Sequence, residues 1–433
     1  MSAILIRGGT VVTARGGERI DLLVRDGMIA KGAVQDAKAK VIDASDHLVL
    51  PGLIDCHVHF REPGFETKGT MESEAGSARA GGITTVCDMP NTNPPTTSIA
   101  ALEDKVKRAT KANNCDIRFF FGAMEREHLK QLEQLWTADV HRLLKGRCAG
   151  LKVYLDHSTG NQGAGKDVVE EAFQLCAALR IPLVVHCEDA KTNEEARENV
   201  MEKGINAHSL MRPPESEERA VASVIALARK HGALVHATHL STAQGLALIR
   251  QAKKDGIAVT CDVAPHHLFL SVDDYAALGA RAKMNPPLRT REHQEALWGA
   301  IADGTVDCIA TDHAPHTREE KDIADPLKAP SGVPGVETLL PLLLTVAAGE
   351  WPHPTSSSPV PHLRYEDIVR LCFTNPNKIF SLRREDITEG ARTPLVIVDP
   401  KGTWTITAKT LHAKCGWTPY EGWRMTGGVR EVL

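Results

Sequence analysis

Between about residue 50 and residue 310 the chain keeps repeating one pattern: a short apolar, β-rich run followed by a longer stretch with helical periodicity. The runs fall at Leu53–Val58, Ile83–Cys87, Ile117–Phe121, Leu151–Tyr154, Leu183–Val185, Leu234–Ala237, Ala258–Val263 and Cys308–Ala310. Helical stretches such as Glu217–Lys230 and Ala243–Lys254 lie between them. Near-continuous apolar strands alternating with helices are the signature of parallel βαβ units, whose sheet is covered on both faces. Roughly eight such units are what a closed (β/α)8 barrel needs. An open doubly wound sheet is the alternative, and no GxGxxG loop after an early strand supports it.

The two ends of the chain read differently. Residues Ile4 to Val12 are β-rich around Gly8-Gly9, and Asp21 to Val24 runs into the turn Asp26-Gly27. Near the other end, Pro394 to Val398 is a β run and Thr403 to Thr407 alternates. Chain termini often lie close together, so the two ends are expected to form one small β-sandwich domain. The expected division is residues 1–50 and 385–433 for that domain, with the barrel over 51–384.

Composition narrows the function classes. A net charge of -4 offers no basic footprint for nucleic acid. No apolar run approaches membrane-spanning length, and the start MSAILIRGGTVV lacks the features of a signal peptide. A cytoplasmic protein is the resulting expectation. Of the ten cysteines, Cys87, Cys187, Cys261 and Cys308 sit inside apolar runs and no CxxC pair occurs, which suits buried free thiols rather than a thiolate metal site.

Histidine is more informative. His57 and His59 stand two apart at the end of the first apolar run, so in a strand both imidazoles point to one face and can share a metal ion. Lys152, His186, His239 and Asp312 likewise fall at or near the ends of their own runs, and barrel active sites are built at that end from several strands at once. Singly, each has a plainer explanation: a hydrogen-bonded histidine, a salt-bridged lysine, an aspartate capping a helix. Lys152 as an ammonium has no lone pair for a cation; a neutral, buried lysine could add carbon dioxide and become an anionic carbamate able to bridge two ions. The competing reading pairs it with a carboxylate.

Longer motifs then carry a resemblance. The segments Pro51-Gly52-Leu53-Ile54-Asp55-Cys56-His57-Val58-His59-Phe60-Arg61-Glu62-Pro63-Gly64, Asp88-Met89-Pro90-Asn91-Thr92-Asn93-Pro94-Pro95, Lys283-Met284-Asn285-Pro286-Pro287-Leu288-Arg289, Ala310-Thr311-Asp312-His313-Ala314-Pro315-His316 and Gly335-Val336-Glu337-Thr338 resemble the dihydroorotases of the amidohydrolase superfamily over essentially the whole chain. The resemblance implies reversible closure of N-carbamoyl-L-aspartate to dihydroorotate in pyrimidine synthesis. It implies zinc, one or two ions, on His57, His59, His186, His239 and Asp312, with carboxylated Lys152 as the bridge between two. It also implies Asp312 as general base and then acid, and substrate contacts from His59, Arg61, Asn91, Asn285, His316 and the loop Ser331-Gly332. One departure is the strand Gly-Leu-Lys-Val-Tyr-Leu, where many bacterial relatives bridge the metals with aspartate; here it is closer to the animal multienzyme form and to allantoinases. Thr393-Pro394 also replaces the usual Ala-Asp.

Several residues have plainer roles. Arg61 alone would read as a surface partner of Glu62 or Glu66. Of the pair His266 and His267 one is read as a partner supporting the metal ligands, and His157, His208 and His236 are read as structural or exposed. Asp55 and Asp88 stand near the metal end and could orient ligands. Lys105 to Lys111 reads as a solvated helix face, and the segment 317–334 as a candidate lid. Rival functions are an allantoinase or dihydropyrimidinase sharing the metal set, and a non-catalytic subunit supporting aspartate carbamoyltransferase. Relatives suggest a homodimer or a complex with that transferase.

Overall fold

The computed structural model describes residues 3–30, 38–112, 115–156, 162–356 and 359–433. Eight parallel strands lie side by side in chain order: Leu53–Val58, Ile83–Asp88, Asp116–Gly122, Cys148–Tyr154, Leu183–His186, Val235–Thr238, Val259–Val263 and Cys308–Ile309. The ring closes where Val58 bridges His313 and the His59 N–H donates to the His313 carbonyl at 2.7 Å. Every residue of the first, second and fifth strands is buried, as a sheet covered by helices outside and side chains inside requires. The expected runs match these strands to within a few residues, and the fourth starts earlier, at Cys148.

The helices between them obey local rules. Pro214–His231 opens with Pro214 and the acidic Glu215 and Glu217, closes with Arg229, Lys230 and His231, and stops at Gly232 in left-handed conformation. Ala243–Lys254 starts under the Thr242 hydroxyl, which accepts the Gly245 N–H.

Both chain ends build a separate pair of sheets. One orders Met28–Ile29, Leu22–Arg25, Ala3–Arg7 and Lys40–Asp43; the other orders Arg424–Val432, Leu395–Thr405, Leu48–Pro51, Thr10–Thr13 and Gly16–Arg19. Asp26 and Gly27, at φ 48° and 76°, make the two-residue hairpin turn whose twist suits the flanking strands. Ile6, Val11, Leu22, Val49, Leu395 and Ile397 pack into one core, so the N- and C-terminal segments are buried against each other. The two expected C-terminal runs are one strand, Leu395–Thr405, with an irregular register between Asp399 and Thr403.

One surface expectation is corrected. Lys105 is 1% exposed rather than solvated: its ammonium pairs with buried Asp88 and donates to the Met89 carbonyl at 3.0 Å. A run of basic residues on a helix reports composition, and the inward face of that helix holds this one cation against a buried anion. Among the described residues no helix is long and apolar enough to cross a membrane.

Candidate metal and substrate site

At the C-terminal mouth of the barrel one cavity is lined by His57, His59, Arg61, Asn91, Tyr154, His186, His239, Asn285, Asp312, Ala314, Ser331 and Gly332. Strand geometry explains the convergence. His57 and His59 leave the first strand on one face, and His186, His239 and Asp312 leave the fifth, sixth and eighth.

The donors form two adjoining groups. In the first, His57 Nε2 and His59 Nε2 approach Asp312 Oδ1 at 3.3 and 3.0 Å, and the three donor atoms lie within 4.8 Å of one another. His59 Nδ1–H donates to Asn91 Oδ1 at 2.6 Å, which leaves the Nε2 lone pair facing the group. In the second, His186 Nδ1 lies 3.0 Å from His239 Nε2, while His186 Nε2–H donates to Glu188 Oε2 at 2.8 Å. The His57 and His239 rings, 5.2 Å apart, join the groups. Nδ1 of His57 and Nδ1 of His239 are buried without a hydrogen-bond partner. The Nε2 atoms of His57 and His59 against Asp312 Oδ1, with His186 Nδ1 facing His239 Nε2, fit the nitrogen and oxygen chemistry of a zinc site.

The electrostatics agree with that fit. Burial holds His57 and His239 well below the usual histidine range, so both are neutral. Despite its burial, the Asp312 carboxyl beside the His57 and His59 rings lies well below the usual carboxylate range and is ionised. Neutral imidazoles and an ionised carboxylate are the forms that bind a cation. Behind His186, Glu188 is likewise kept ionised against burial by Arg212, whose Nη2 reaches Glu188 and Asp156 at 2.6 and 2.7 Å. Sequence reasoning missed Glu188; its position two residues beyond His186 was the available signal.

Lys152 lies just outside the cavity. Its Nζ donates to Thr238 Oγ1 at 3.1 Å, not to a carboxylate, and Thr238 Oγ1 is in turn 3.2 Å from His239 Nε2. Burial lowers its pKa to about 8. Tyr154, which faces the cavity, sits with its ring 5.0 Å from that ammonium and was not singled out from the sequence.

Another part of the cavity wall holds a buried cation. Arg61 is 7% exposed; its Nε donates to the Pro315 carbonyl at 2.9 Å, and its Nη2 is 3.0 Å from His316 Nε2. Neither Glu62 nor Glu66 takes it: Glu62 accepts the Met71 N–H and Glu66 the Gly64 N–H. Burial lowers the guanidinium to about 10, so it stays charged at neutral pH. His316 stands behind Arg61 rather than on the cavity wall. Burial, then Arg61 and Lys68, hold it well below the histidine range, and Lys68 Nζ donates to its Nδ1 at 3.1 Å.

The segment 317–334 is tied down over this wall. Lys321, 1% exposed, donates to the carbonyls of Lys283, Pro330 and Gly332 at 3.0, 2.9 and 3.0 Å. Gly332, at φ 138°, passes so close to the Ala314 carbonyl that a Cβ would sit 2.6 Å from its oxygen. Ser331 Oγ donates to Asn285 Oδ1 at 3.2 Å. Three residues of the site, Arg61, His239 and Asp312, hold left-handed backbone at φ 69°, 39° and 48° without being glycine. That conformation costs about 1–3 kcal/mol per residue and clusters at functional sites.

The remaining histidines serve structure. His267 Nε2 meets the Pro286 carbonyl at 3.0 Å and His208 Nε2 the Met284 carbonyl at 2.9 Å. Burial lowers His266 to about 4. His236 is buried and bonded to Asp262; His157 lies outside the described residues.

The amidohydrolase family model matches residues 48–421. A dihydroorotase of Halobacterium salinarum is 40% identical over 423 residues, covering 97% of this chain and 91% of that protein. The multifunctional protein CAD of Squalus acanthias is 35% identical over 93% of this chain and 15% of its own. Among solved structures, an L-hydantoinase (dihydropyrimidinase) from Arthrobacter aurescens superposes with a TM-score of 0.91 at 27% identity, covering 100% of this chain and 95% of that one.

Proposed function

This chain belongs to the amidohydrolase family and within it to the dihydroorotases, and we propose that it interconverts N-carbamoyl-L-aspartate and (S)-dihydroorotate at a zinc centre on His57, His59, His186, His239 and Asp312. It is a hydrolase of cyclic amides. The observation that carries the reading is one cavity holding both the imidazole and carboxylate donors and a buried, charged Arg61.

Zinc at such a centre supplies a water acidified towards neutrality and polarises an amide carbonyl. Lys152, carboxylated, is the proposed bridge between two ions; its depressed pKa favours the neutral amine that carbon dioxide needs. In the hydrolytic direction, water adds across the ring C–N bond: oxygen joins the carbonyl carbon and a proton joins the departing nitrogen. Asp312 Oδ1, between His57 and His59, takes the proton from the attacking water and returns it to that nitrogen. Ring closure runs the same transfers backwards.

Arg61 grips the substrate's free carboxylate through charge-assisted hydrogen bonds. Asn91 presents its amide N–H to the same group, because its oxygen already accepts from His59. The Ser331-Gly332 backbone and Asn285 close over the ring, and His316, whose Nδ1 accepts from Lys68, donates Nε2–H to the Ser331 carbonyl behind Arg61.

The hydantoinase likeness favours a second reading, an enzyme for uncharged rings. Arg61 argues against it, since a desolvated cation in the cavity lacks a partner in such a substrate. Purified zinc-loaded protein assayed with dihydroorotate, allantoin and dihydrouracil decides. Dihydroorotate should be preferred in kcat/KM by about 100-fold or more, since a buried charge left unpaired costs several kcal/mol. Equal turnover of dihydrouracil would sink the reading.

A further inference from the structure

The three left-handed residues of the site share a device. Each lies at or directly after a backbone N–H captured by a buried aspartate on a barrel strand. Asp88 Oδ1, ending the second strand, accepts the Phe60 N–H at 2.8 Å, one residue before Arg61. Asp262 Oδ1, on the seventh, accepts the N–H of His239 itself at 2.6 Å. Asp55 Oδ1, on the first, accepts the Thr311 N–H at 3.1 Å, one residue before Asp312, and its Oδ2 takes the Thr311 hydroxyl at 2.5 Å. All three carboxylates are at most 1% exposed.

Burying three anions is unfavourable unless each is compensated, and each is compensated differently. Asp88 is paired with Lys105. Asp262 Oδ2 accepts from His236 Nε2 at 2.9 Å, and His236 Nδ1 meets Thr260 Oγ1 at 2.8 Å. Asp55 collects donors only, those from Thr311 and the His57 N–H at 3.1 Å. A carboxylate accepting from backbone N–H in a dry interior is a strong, directional contact. It fixes the residue from which, or at which, the backbone turns left-handed.

We propose that Asp55, Asp88 and Asp262 are positioning residues that hold these turns, Asp88 aiming Arg61 at the substrate, and Asp262 and Asp55 aiming His239 and Asp312 at the metal. The consequence is a division of labour: one brace sets substrate affinity and two set metal retention. A role in stability alone gives no such division.

The inference rests on the proposed zinc-dependent dihydroorotase site. Its test uses the full-length, zinc-loaded protein with Asp→Ala and Asp→Asn at each position; asparagine keeps one acceptor oxygen. Asp307→Asn serves as the control, because Asp307 accepts the Cys261 N–H at 2.8 Å but stands ahead of the eighth strand, away from the site. Four quantities are measured: KM and kcat for dihydroorotate, zinc release to a chromogenic chelator, and Tm.

Asp88→Ala should raise KM about tenfold or more with kcat within about threefold and zinc release unchanged, the signature of lost substrate positioning. Asp262→Ala and Asp55→Ala should speed zinc release by about 10–100-fold, the usual effect of removing a partner that orients a ligand. The asparagine variants, which lose the negative charge but keep one acceptor oxygen, should show the same separation at about a third of the size or more, and they carry the test if an alanine variant does not fold. Asp307→Asn should lower Tm alone. Equal Tm losses with no separation between KM and zinc release, or zinc release accelerated by Asp88→Asn, would overturn the proposal. Wild-type protein that holds zinc without opening dihydroorotate would instead defeat the functional reading, while the zinc-release arm would still judge Asp55 and Asp262.

Discussion

Carboxylation of Lys152 should depend on pH with a slope set by its surroundings. Only the neutral amine attacks carbon dioxide, and burial lowers this lysine from 10.5 to about 8. At pH 7 about a tenth of the metal-free protein therefore carries a neutral Lys152, against roughly 0.03% for an ordinary exposed lysine. That is an advantage of about 300-fold, worked from the burial of one side chain. Between pH 6 and pH 8 the neutral fraction climbs from about 1% to about half, roughly fifty-fold, and above pH 9 it levels off. The assay strips the metal with chelator, then adds zinc at a fixed concentration of dissolved carbon dioxide at each pH. Aliquots are transferred to one common pH for activity, and 13C-labelled carbon dioxide gives an independent NMR signal for the carbamate. The rate of recovery should rise about ninefold from pH 6 to pH 7 and about fivefold from pH 7 to pH 8. A rate flat across that range, or Lys152→Ala protein that regains full activity and two zinc ions, would refute the argument.

Two further outcomes follow from the same structure. Arg61→Ala should raise KM for dihydroorotate by about 10–100-fold, since hydrogen bonds to a charged group are worth about 1.5–3 kcal/mol, and should leave zinc content intact; zinc loss would contradict the assignment. Lys321→Met removes a buried lysine whose pKa burial lowers from 10.5 to about 7. Above pH 7 the folded chain has released that proton while the unfolded chain still binds it, so this lysine's contribution to stability rises with pH. From pH 7 to pH 9 wild type should gain roughly 2 kcal/mol relative to Lys321→Met in denaturant titrations, and a constant difference would show that Lys321 does not titrate there.

Much of the architecture was legible because it rests on short-range rules. A strand buried on both faces must be apolar throughout, so eight such runs could be located to within a few residues from order alone. The hairpin at Asp26-Gly27 announced itself through a turn that needs two residues at positive φ. The pair His57 and His59 was readable because side chains two apart on a strand share a face, and the other donors because they too end apolar runs.

What lay beyond reach depends on pairs distant in the chain. Lys105 resembles any helix-surface lysine until the helix rotates it onto Asp88. Arg61 and Pro315 are 254 residues apart and Asp55 and Thr311 are 256 apart, joined only by closure of the ring. Glu188, Arg212 and Asp156 likewise meet through the packing of the fifth strand's surroundings. Periodicity and residue chemistry by themselves determined that this chain makes about eight parallel βα units with histidines at the strand ends. Tertiary structure alone decided which buried charges compensate one another and which N–H groups the aspartates hold, because desolvation makes each such pairing depend on all the groups around it rather than on neighbours along the chain.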